Sequence, residues 1–321
     1  MRAFTNANPR DLKDALKLLA KPDAVPVGGG SDLLGMVKEH LVEPDVLVNL
    51  KSVRGMGGIN ARGKEVQIGG LVTLDDVSRH ERIRREFTVL AEAAESVGTL
   101  QIRNAGTLAG NVCQRPWCWY YRNGFPCFKA GGNKCFSVTG ENQFHAIFGG
   151  GPSFIVHPSD TAPALVALDA RFRLAGPAGE RTISAADFFA LPKVNASKEN
   201  VLAHGEVLTR IDLPVPARSV KSTYHKILDR EAWTHAVISV AVALDMDQQT
   251  CRSARIVLGG VAPIPWRLPK VEAMLAGQRI TPELAERAGD AAVEGANPLA
   301  KNGYKIPLTK AVVRRMILSL A

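Results

Sequence analysis

The first hundred or so residues alternate between short apolar runs and segments whose apolar residues share one helical face. Between residues 9 and 20, apolar residues recur every three or four positions, which predicts an amphipathic helix. Thr73 is a predicted helix N-cap, since the acidic Asp76 follows it three positions later. The predicted helices here are 9–20, 74–85 and 89–97, and the predicted strands are 24–27, 46–50 and 66–72.

The pattern changes near residue 214. Pro214 and Pro216 end a predicted strand, and the sequence around them is typical of a linker. Beyond it, three long apolar strands with short polar turns indicate an antiparallel sheet, which helices follow. The remaining predicted strands are 170–174, 181–183, 207–213, 222–228, 236–245 and 253–261, and the remaining predicted helices are 162–168, 184–189, 270–275, 282–293 and 310–318. We therefore expect an α+β protein with domains at 1–216 and 217–321, the first divided near residue 55.

Charge and composition narrow the functional classes. The 321 residues include 40 basic and 31 acidic side chains, a net charge of +9. The basic residues are scattered and no nucleic-acid-binding motif accompanies them, so we expect an acidic partner or a phosphate-bearing cofactor rather than nucleic acid. No run of 18 apolar residues occurs, and the N-terminus lacks the apolar stretch of a secretory signal. These features predict no membrane span and a cytoplasmic location, or a periplasmic one through co-export with a signal-bearing partner.

Two polar, glycine-containing segments are candidate anion-binding loops. Three glycines, Gly28 to Gly30, follow an apolar strand and precede Ser31 and Asp32, so backbone N–H groups can converge there on an anion. The segment is neither G-x-G-x-x-G nor a P-loop, and an ordinary glycine turn is the alternative. The second segment, 103–111, combines an arginine, two amides, a hydroxyl and two glycines, which suits a pyrophosphate or a polar turn.

A third segment, His157 to Asp160, contains Ser159 and Asp160 after a proline. These two residues suit a ribose or adenine edge, or alternatively the N-cap of the next helix.

Asn111 and Ser159 are 48 positions apart, and four of the five cysteines lie between them. The four are Cys113, Cys118, Cys127 and Cys135, in the pattern C-x4-C-x8-C-x7-C. A structureless loop of this length is uncommon in a compact domain, so we expect something to hold it. Structural zinc prefers pairs of ligands two to four residues apart, whereas a [4Fe-4S] cluster tolerates irregular spacing and simple burial needs no spacing at all. The spacing favours the cluster over zinc and over burial. The fifth cysteine, Cys251, is predicted to be a partly buried thiol.

In order and spacing, three segments resemble the FAD-binding subunit of the molybdenum hydroxylase (xanthine dehydrogenase) family. They are V-G-G-G-S-D-L-L from Val27, Q-I-R-N-A-G-T-L-A-G-N from Gln101 and P-S-D-T-A-P-A-L-V-A-L-D-A from Pro158. The family usually has A-G-G-T-D/N-L-L in the first segment, so Gly30 and Ser31 depart mildly from it. The resemblance covers nearly the whole chain. It implies a two-subdomain FAD-binding domain of the PCMH (vanillyl-alcohol-oxidase-like) type, then a C-terminal domain with a three-stranded antiparallel sheet and a helical bundle.

The resemblance also implies roles for individual residues. Residues 27–34 would bind the FAD pyrophosphate from one side, and the second segment would bind it from the other. Asp160 would face ribityl or ribose hydroxyls, and Lys226 would lie near the flavin ring, although it otherwise suits a solvated charge on an edge strand. The implied FAD contacts are Val27, Gly28, Gly29, Gly30, Ser31, Asp32, Leu33, Arg103, Asn104, Thr107, Gly110, Asn111, Asp160 and Lys226.

Most members of the family lack the cysteine-containing insert, here residues 112–156. It resembles that of a subgroup with a [4Fe-4S] cluster, the 4-hydroxybenzoyl-CoA reductases and the periplasmic aldehyde oxidoreductases. In the aldehyde group three cysteines lie where Cys118, Cys127 and Cys135 lie, and the fourth lies where this chain has Ser153. Cys113 is then the expected fourth ligand, with His145 as the alternative.

The implied function is electron transfer. A large subunit with a molybdenum cofactor would oxidise the substrate, and a small subunit with two [2Fe-2S] clusters would pass electrons to FAD in this chain. The [4Fe-4S] cluster would connect FAD with an external acceptor, in aldehyde oxidation. The alternatives are a subunit of a 4-hydroxybenzoyl-CoA reductase or of a xanthine or heterocycle dehydrogenase, and, from another class, a zinc-stabilised scaffold subunit.

Overall fold

Three β-sheets, each carrying helices, make up the computed structural model, which describes residues 1–231 and 234–321. The expected α+β class is confirmed. The first sheet is parallel, and the other two are antiparallel throughout.

The N-terminal sheet is small and parallel. Its strands, in spatial order, are Thr5–Ala7, Val46–Asn49 and Ala24–Val27. The helices are Leu12–Leu19 and Leu33–Lys38, with a 3₁₀ turn at Leu50–Ser52. The first helix begins where the Asp11 side chain accepts a hydrogen bond from the Asp14 N–H, and it buries Ala15 and Leu19 against Val48. The predicted amphipathic helix is therefore present, one turn shorter at its start.

The second sheet forms the centre of the first expected domain, residues 1–216, which we call the FAD-domain region after the resemblance, and it has five antiparallel strands. In spatial order they are Ile59–Arg62, Glu65–Gly69, Val207–Pro214, Arg171–Gly176 and Gly179–Ser184. The helices packed on it are Leu74–Arg79, Glu81–Glu86, Thr88–Glu95, Thr161–Ala167 and Ala185–Phe188. The predicted single helix at 74–85 is wrong, because His80 is extended (φ −64°, ψ 120°) and divides it in two.

The C-terminal sheet contains the three predicted long strands and two short ones. The long strands are Val220–Ile227, Ile238–Asp247 and Thr250–Gly259, and the short ones are Trp266–Arg267 and Gln278–Arg279. Two residues are too few to show a periodicity, which explains why the sequence did not predict the short strands. The helices that cover this sheet are Pro269–Leu275, Pro282–Ala291 and Lys305–Leu320.

One carboxylate joins the C-terminal sheet to the FAD-domain region. The Glu92 side chain accepts hydrogen bonds from the Thr223 hydroxyl (2.9 Å) and the Tyr224 N–H (2.7 Å). These contacts fix the edge strand Val220–Ile227 beside helix Thr88–Glu95. Lys226, on the same strand, is thereby brought over the segment that contains Asp160.

Little regular structure occurs in the insert. It contains a helix at Trp119–Arg122 and 3₁₀ turns at Phe128–Ala130 and Phe136–Val138. A small apolar cluster of Met36, Tyr121 and Cys127 packs it against the N-terminal subdomain. The insert is therefore a folded cap rather than an extended loop.

Candidate functional site

The first glycine loop packs directly on the second segment. A Cβ atom on Gly29 would lie 1.8 Å from the Ala105 carbonyl oxygen, a separation that no side chain can adopt. Gly30 has φ +74°, a conformation that favours glycine. The glycines are thus required by close backbone approach and by a left-handed turn, which sequence alone left open.

The second segment is not the loop that we expected. It forms two short helices, Leu100–Ala105 and Leu108–Val112, joined at Gly106 and Thr107. The Thr107 hydroxyl accepts a hydrogen bond from the Gly110 N–H at 3.1 Å and so begins the second helix. The sequence did not indicate these two helices, because neither is long enough to show a helical period of apolar residues.

Both predicted loops line one cavity of about 370 Å³, which we call the glycine cavity. Ten of the fourteen predicted FAD contacts lie on its wall, and four do not. The ten are Val27, Gly28, Gly29, Gly30, Ser31, Asp32, Leu33, Thr107, Gly110 and Asn111. A narrow space lined by glycines and hydroxyls suits a phosphate chain.

The four residues elsewhere are Arg103, Asn104, Asp160 and Lys226. Asn104 is exposed and lines none of the cavities described here. Arg103 donates to the Val97 carbonyl at 3.1 Å and lines a second cavity of about 500 Å³ together with Lys226, which we call the Lys226 cavity. Its wall also includes Glu92, Glu95 and Glu231.

A buried ion pair separates the Lys226 cavity from the segment at 157–160. The Lys226 ammonium lies 2.7 Å from Asp160 Oδ2 and also donates to the Ser96 carbonyl at 3.1 Å. The Tyr224 hydroxyl donates to Asp160 Oδ1 at 2.8 Å. Burial and the Asp160 charge raise the pKa of Tyr224 well above its usual value, so the phenol remains a donor. The alternative of Lys226 as a solvated charge is wrong, because only 4% of its side chain is exposed.

Asn111 holds the third segment to the second. Its side-chain carbonyl accepts hydrogen bonds from the Ser159 hydroxyl (2.6 Å) and the Thr161 hydroxyl (2.7 Å). The Ser159 oxygen in turn accepts from the Ala162 N–H at 3.0 Å and caps helix Thr161–Ala167, so Asp160 is free to pair with Lys226. Of the two roles considered for this segment, Ser159 supplies the cap and Asp160 does not.

The insert is tied to the glycine loop through Asp32. This carboxylate pairs with the Arg122 guanidinium at 2.7 Å and accepts a hydrogen bond from the Arg115 N–H at 3.1 Å. The Arg122 guanidinium also covers the Trp117 ring, 4.3 Å from its centroid. Asp32 was predicted as a FAD contact, and in the structure it also holds the insert.

A second anchor of the insert is Glu199, which the sequence did not indicate. It is 3% exposed and pairs with the Lys129 ammonium at 2.9 Å and the Arg115 guanidinium at 3.0 Å. Burial lowers the pKa of Lys129, and the Glu199 charge opposes this shift. No local motif surrounds Glu199, since its partners lie about 70 or more positions away in the chain.

Three of the four clustered cysteines lie together in the insert. Burial raises the pKa of Cys118 to about 11, and the nearby Cys127 and Cys135 add to the increase. Cys135 Sγ lies 3.1 Å from the Ser137 hydroxyl and accepts from the Phe154 N–H at 3.5 Å. Cys118 Sγ lies 3.3 Å from His145 Nε2. In the two ranges that the structure describes, no three His, Cys, Asp or Glu side chains are grouped as ligands of a single metal ion.

Cys113 has different surroundings from the other three. It lies at the end of helix Leu108–Val112, packs against the core of the FAD-domain region and lines the glycine cavity. Burial alone raises its pKa to about 12. Its place in a four-thiolate set therefore stays a prediction. Cys251 is fully buried and donates to the Ser253 carbonyl, which is consistent with a structural thiol.

A third cavity, of about 410 Å³, lies between the insert and the C-terminal domain, and we call it the tryptophan cavity. Trp117, Trp119, Cys118 and His145 line one side, and Asp160 lies on its wall. The His145 side chain is neutral at pH 7, because burial and, to a smaller extent, the Lys305 charge lower the pKa of His145 to about 4. Ser159 and Asp160 line the tryptophan cavity and Asn111 lines the glycine cavity, so these two cavities lie on either side of the joint that the three residues form.

Comparison with known proteins decides the family. The FAD binding domain in molybdopterin dehydrogenase matches residues 2–216, and the CO dehydrogenase flavoprotein C-terminal domain matches residues 223–320. The chain belongs to the FAD-binding subunits of the molybdenum hydroxylases. It is 34% identical over 316 residues to the aldehyde oxidoreductase FAD-binding subunit PaoB of Escherichia coli (strain K12), covering 97% of this chain and 96% of PaoB. The resemblance seen in the three segments is therefore confirmed.

Solved structures of this family share the fold over almost the full length. The carbon monoxide dehydrogenase of Hydrogenophaga pseudoflava superposes with a TM-score of 0.79 at 26% identity, covering 99% of this chain and 97% of that chain. Quinoline 2-oxidoreductase from Pseudomonas putida 86 gives a TM-score of 0.78 at 25% identity, with the same coverage. FAD binding by a subunit of a molybdenum-containing oxidoreductase follows from this membership. Within residues 1–231 and 234–321, no helix has both the length and the apolar character needed to cross a membrane.

Proposed function

We propose that this chain is the electron-transfer flavoprotein subunit of a molybdenum-dependent aldehyde oxidoreductase. The observation that carries the proposal is the junction of the glycine cavity with a cysteine insert, in a chain 34% identical to an aldehyde oxidoreductase FAD-binding subunit. Both parts meet at Asp32, which lines the cavity and whose carboxylate contacts the insert.

The glycine cavity fits the phosphate chain of FAD. Gly28 to Asp32 on one side, and Thr107 to Asn111 on the other, would bind it, since glycines there leave room for close approach to backbone N–H groups. The Thr107 hydroxyl donates to no protein group in the hydrogen bonds described and is available to a phosphate oxygen. FAD would supply storage for two electrons, which it can accept singly.

The flavin ring is proposed to lie near Lys226 and Arg103. These cations line one cavity with three glutamates, and Lys226 is fixed by Asp160 and the Ser96 carbonyl. Two cations held in place near the ring would stabilise negative charge on it, and Asp160 would face the ribityl or ribose hydroxyls. Asn104 is exposed and would contact FAD only from the edge of the second segment.

We further propose that the insert holds a [4Fe-4S] cluster. Cys118, Cys127 and Cys135 suit it by their mutual proximity and by the N–H that already points at one sulfur. Cys113 is the predicted fourth ligand, although this residue lines the glycine cavity. The cluster would supply one-electron transfer to or from an external acceptor. The insert would hold the cluster beside the FAD domain through Asp32 and Glu199.

The proposed partners are a large subunit with the molybdenum cofactor and a small subunit with [2Fe-2S] clusters. The relatives support this arrangement by their names, because two carbon monoxide dehydrogenase chains and one glyceraldehyde dehydrogenase chain are called medium chains. A medium chain implies a larger and a smaller one in the same enzyme. Electrons would reach this chain from the partners and leave to an acceptor outside the complex.

The test is the composition and spectrum of the purified complex. FAD, iron, acid-labile sulfide and zinc are quantified, and absorbance is recorded before and after reduction. We expect the absorbance bands of FAD together with a broad iron–sulfur shoulder. We also expect iron and acid-labile sulfide in equal molar amounts. Zinc without sulfide would show that the cysteines bind zinc and that the insert has a structural role. Absence of flavin would overturn the proposal entirely.

Variants of single cysteines test the ligand set. Cys127→Ala should abolish the broad shoulder and leave the flavin absorbance, because a cluster with a missing thiolate is lost or altered while the glycine cavity is untouched. Cys251→Ala is the matched control, since Cys251 is also buried and its thiol donates to the Ser253 carbonyl, far from the insert in the sequence. Cys113→Ala tests whether Cys113 is the fourth ligand of the proposed cluster. An unchanged shoulder in Cys127→Ala contradicts the ligand assignment.

A further inference from the structure

The insert contributes three consecutive residues to the wall of the glycine cavity. They are Cys113, Gln114 and Arg115, and Arg115 is the only lysine or arginine on that wall among the residues that the structure describes. The arginine that we expected at a phosphate site, Arg103, lines the Lys226 cavity instead. The cation of the glycine cavity therefore comes from the insert and not from the three segments that resemble the family.

The Arg115 guanidinium is held in a fixed position from several sides. Its Nη2 donates to the Lys129 carbonyl at 3.1 Å and to the Ser197 carbonyl at 3.2 Å. Its Nε lies 3.0 Å from Glu199 Oε2, an ion pair without the alignment of a hydrogen bond, and its Cζ lies 5.1 Å from the centroid of the Tyr121 ring. Nη1 donates to none of the described residues, so its two N–H groups remain for a ligand.

The buried charges next to the cavity sum to one positive charge. Glu199 is a single carboxylate between two cations, Arg115 and Lys129, and the Lys129 and Glu199 side chains are only 1% and 3% exposed. Asp32 is the only acidic residue on the cavity wall in the described part of the chain, and the Arg122 guanidinium neutralises it at 2.7 Å. The electrostatic balance at this wall therefore favours an anion.

Arg115 also contacts the glycine loop through its backbone. Its N–H donates to Asp32 Oδ2 at 3.1 Å, which fixes the start of the side chain beside the loop. A second cation near the loop, Lys51, donates to the Gly28 carbonyl at 2.6 Å but does not line the cavity. Within the described ranges, Arg115 is thus the cation with direct access to the glycine cavity.

We propose that Arg115 binds a phosphate group of FAD in the glycine cavity, so that the insert forms part of the cofactor site. The inference rests on the proposed position of the FAD phosphates in this cavity. Arginine donates charge-assisted hydrogen bonds to phosphate oxygens, and a guanidinium that is already fixed loses little entropy when it does so. The Thr107 hydroxyl and the N–H groups of the glycine loop supply the uncharged donors on the other walls.

The decisive experiment measures how tightly the purified complex holds FAD. The rate of FAD release is followed by the fluorescence of free flavin at increasing KCl concentration. Arg115→Gln removes the charge, so FAD should leave about tenfold to a hundredfold faster, as for the loss of a charge-assisted hydrogen bond, and the rate should depend less on KCl. Arg115→Lys restores the charge and should recover part of the affinity. Arg252→Gln is the control, because Arg252 is exposed and pairs with Asp247 in the C-terminal sheet.

The outcomes separate this inference from the function on which it rests. If the wild-type complex contains no FAD, the proposed function fails before any variant is compared. If FAD is present and Arg115→Gln releases it at the wild-type rate, phosphate binding by Arg115 is overturned and the proposed function stands. Equally fast release from Arg115→Gln and Arg115→Lys, with the wild-type dependence on KCl, would make Arg115 a structural residue and would also overturn the proposal.

A second measurement uses the wild-type complex alone. Phenylglyoxal modifies accessible arginines, and peptide mass spectrometry locates the modified positions. The Arg115 side chain is 29% exposed, so it should react after FAD has been removed and should be protected by added FAD or inorganic pyrophosphate, whereas Arg252 should react equally in every case. Equal reaction of Arg115 with and without FAD, or no reaction in either form, contradicts the proposal even if every Arg115 variant fails to fold.

Discussion

The glycine cavity and the cysteine insert meet at Asp32, yet they are constructed by different physical means. The cavity is shaped by backbone approach, with Gly29 so close to the Ala105 carbonyl that no Cβ fits. The insert has almost no regular structure and is held by buried charges, above all Glu199 and its two partners. Backbone packing makes the first region intolerant of added atoms, whereas the second is intolerant of lost charges.

This difference bears on how each region can be recognised. A cradle formed by backbone requires glycine at certain positions, so its residue types are visible in the sequence. A cap held by ion pairs requires only opposite charges somewhere in the chain, and many pairs of positions satisfy that requirement. The comparison can be tested by removing one element of each kind.

The largest effect is expected from Glu199→Gln. Removing one charge of a buried pair leaves Lys129 uncompensated, which typically costs about 3–5 kcal/mol. We expect a lower melting temperature and rapid proteolysis within residues 112–156. The control is Glu141→Gln, whose pair with Lys301 is exposed and should contribute less than about 1 kcal/mol. Equal stability of the two variants would show that the insert does not depend on the buried charges.

A smaller loss of stability, but a complete loss of FAD, is expected from Gly29→Ala. The new methyl group would displace the second segment, and overpacking of this kind costs about 1–3 kcal/mol. The control is Gly35→Ala, because Gly35 lies in helix Leu33–Lys38 with no atom within 4 Å of an added Cβ. That variant should be neutral or slightly more stable. FAD content and melting temperature measure both, and retention of FAD by Gly29→Ala would refute the backbone origin of the cavity.

The smallest effect concerns the buried Lys305 ammonium, which donates to the Phe144 carbonyl of the insert, and it depends on pH. Burial lowers the pKa of Lys305 to about 7, whereas a lysine in an unfolded chain titrates near its usual value of about 10.4. Between these values the unfolded chain binds more protons than the folded one. The free energy of unfolding therefore rises with pH from about 7 upward, by at most ~1.4 kcal/mol per pH unit from this group, and below pH 7 its contribution no longer changes.

Urea unfolding of the wild type and of Lys305→Met between pH 6 and 9 measures this term. The difference between the two proteins should grow in favour of the wild type above pH 7. Lys310→Met removes an exposed lysine of the same helix and should leave the pH dependence as in the wild type. A parallel pH dependence of wild type and Lys305→Met would exclude titration of Lys305 in this range.

Several elements were predictable because their cause is local. Helix Leu12–Leu19 follows from an apolar period and an aspartate cap, and the long C-terminal strands follow from continuous apolar runs between polar turns. The two short helices at 100–112, the break at His80 and the two-residue strands were not predicted, because elements of two to six residues are too short to show a helical or strand periodicity. The fourth-ligand assignment of Cys113 remains a prediction, and its position on the glycine cavity came only from the fold.

By itself the sequence determined the family, the α+β class and the glycine-rich segments that line one cavity, because residue type and short-range spacing carry that information. Only the tertiary structure decided that Asp160 pairs with Lys226, that Asn111 holds Ser159, that Glu199 anchors the insert and that His145 faces Cys118. The physical reason is that the partner of a buried charge or donor is fixed by long-range packing, and burial itself decides whether that partner is needed.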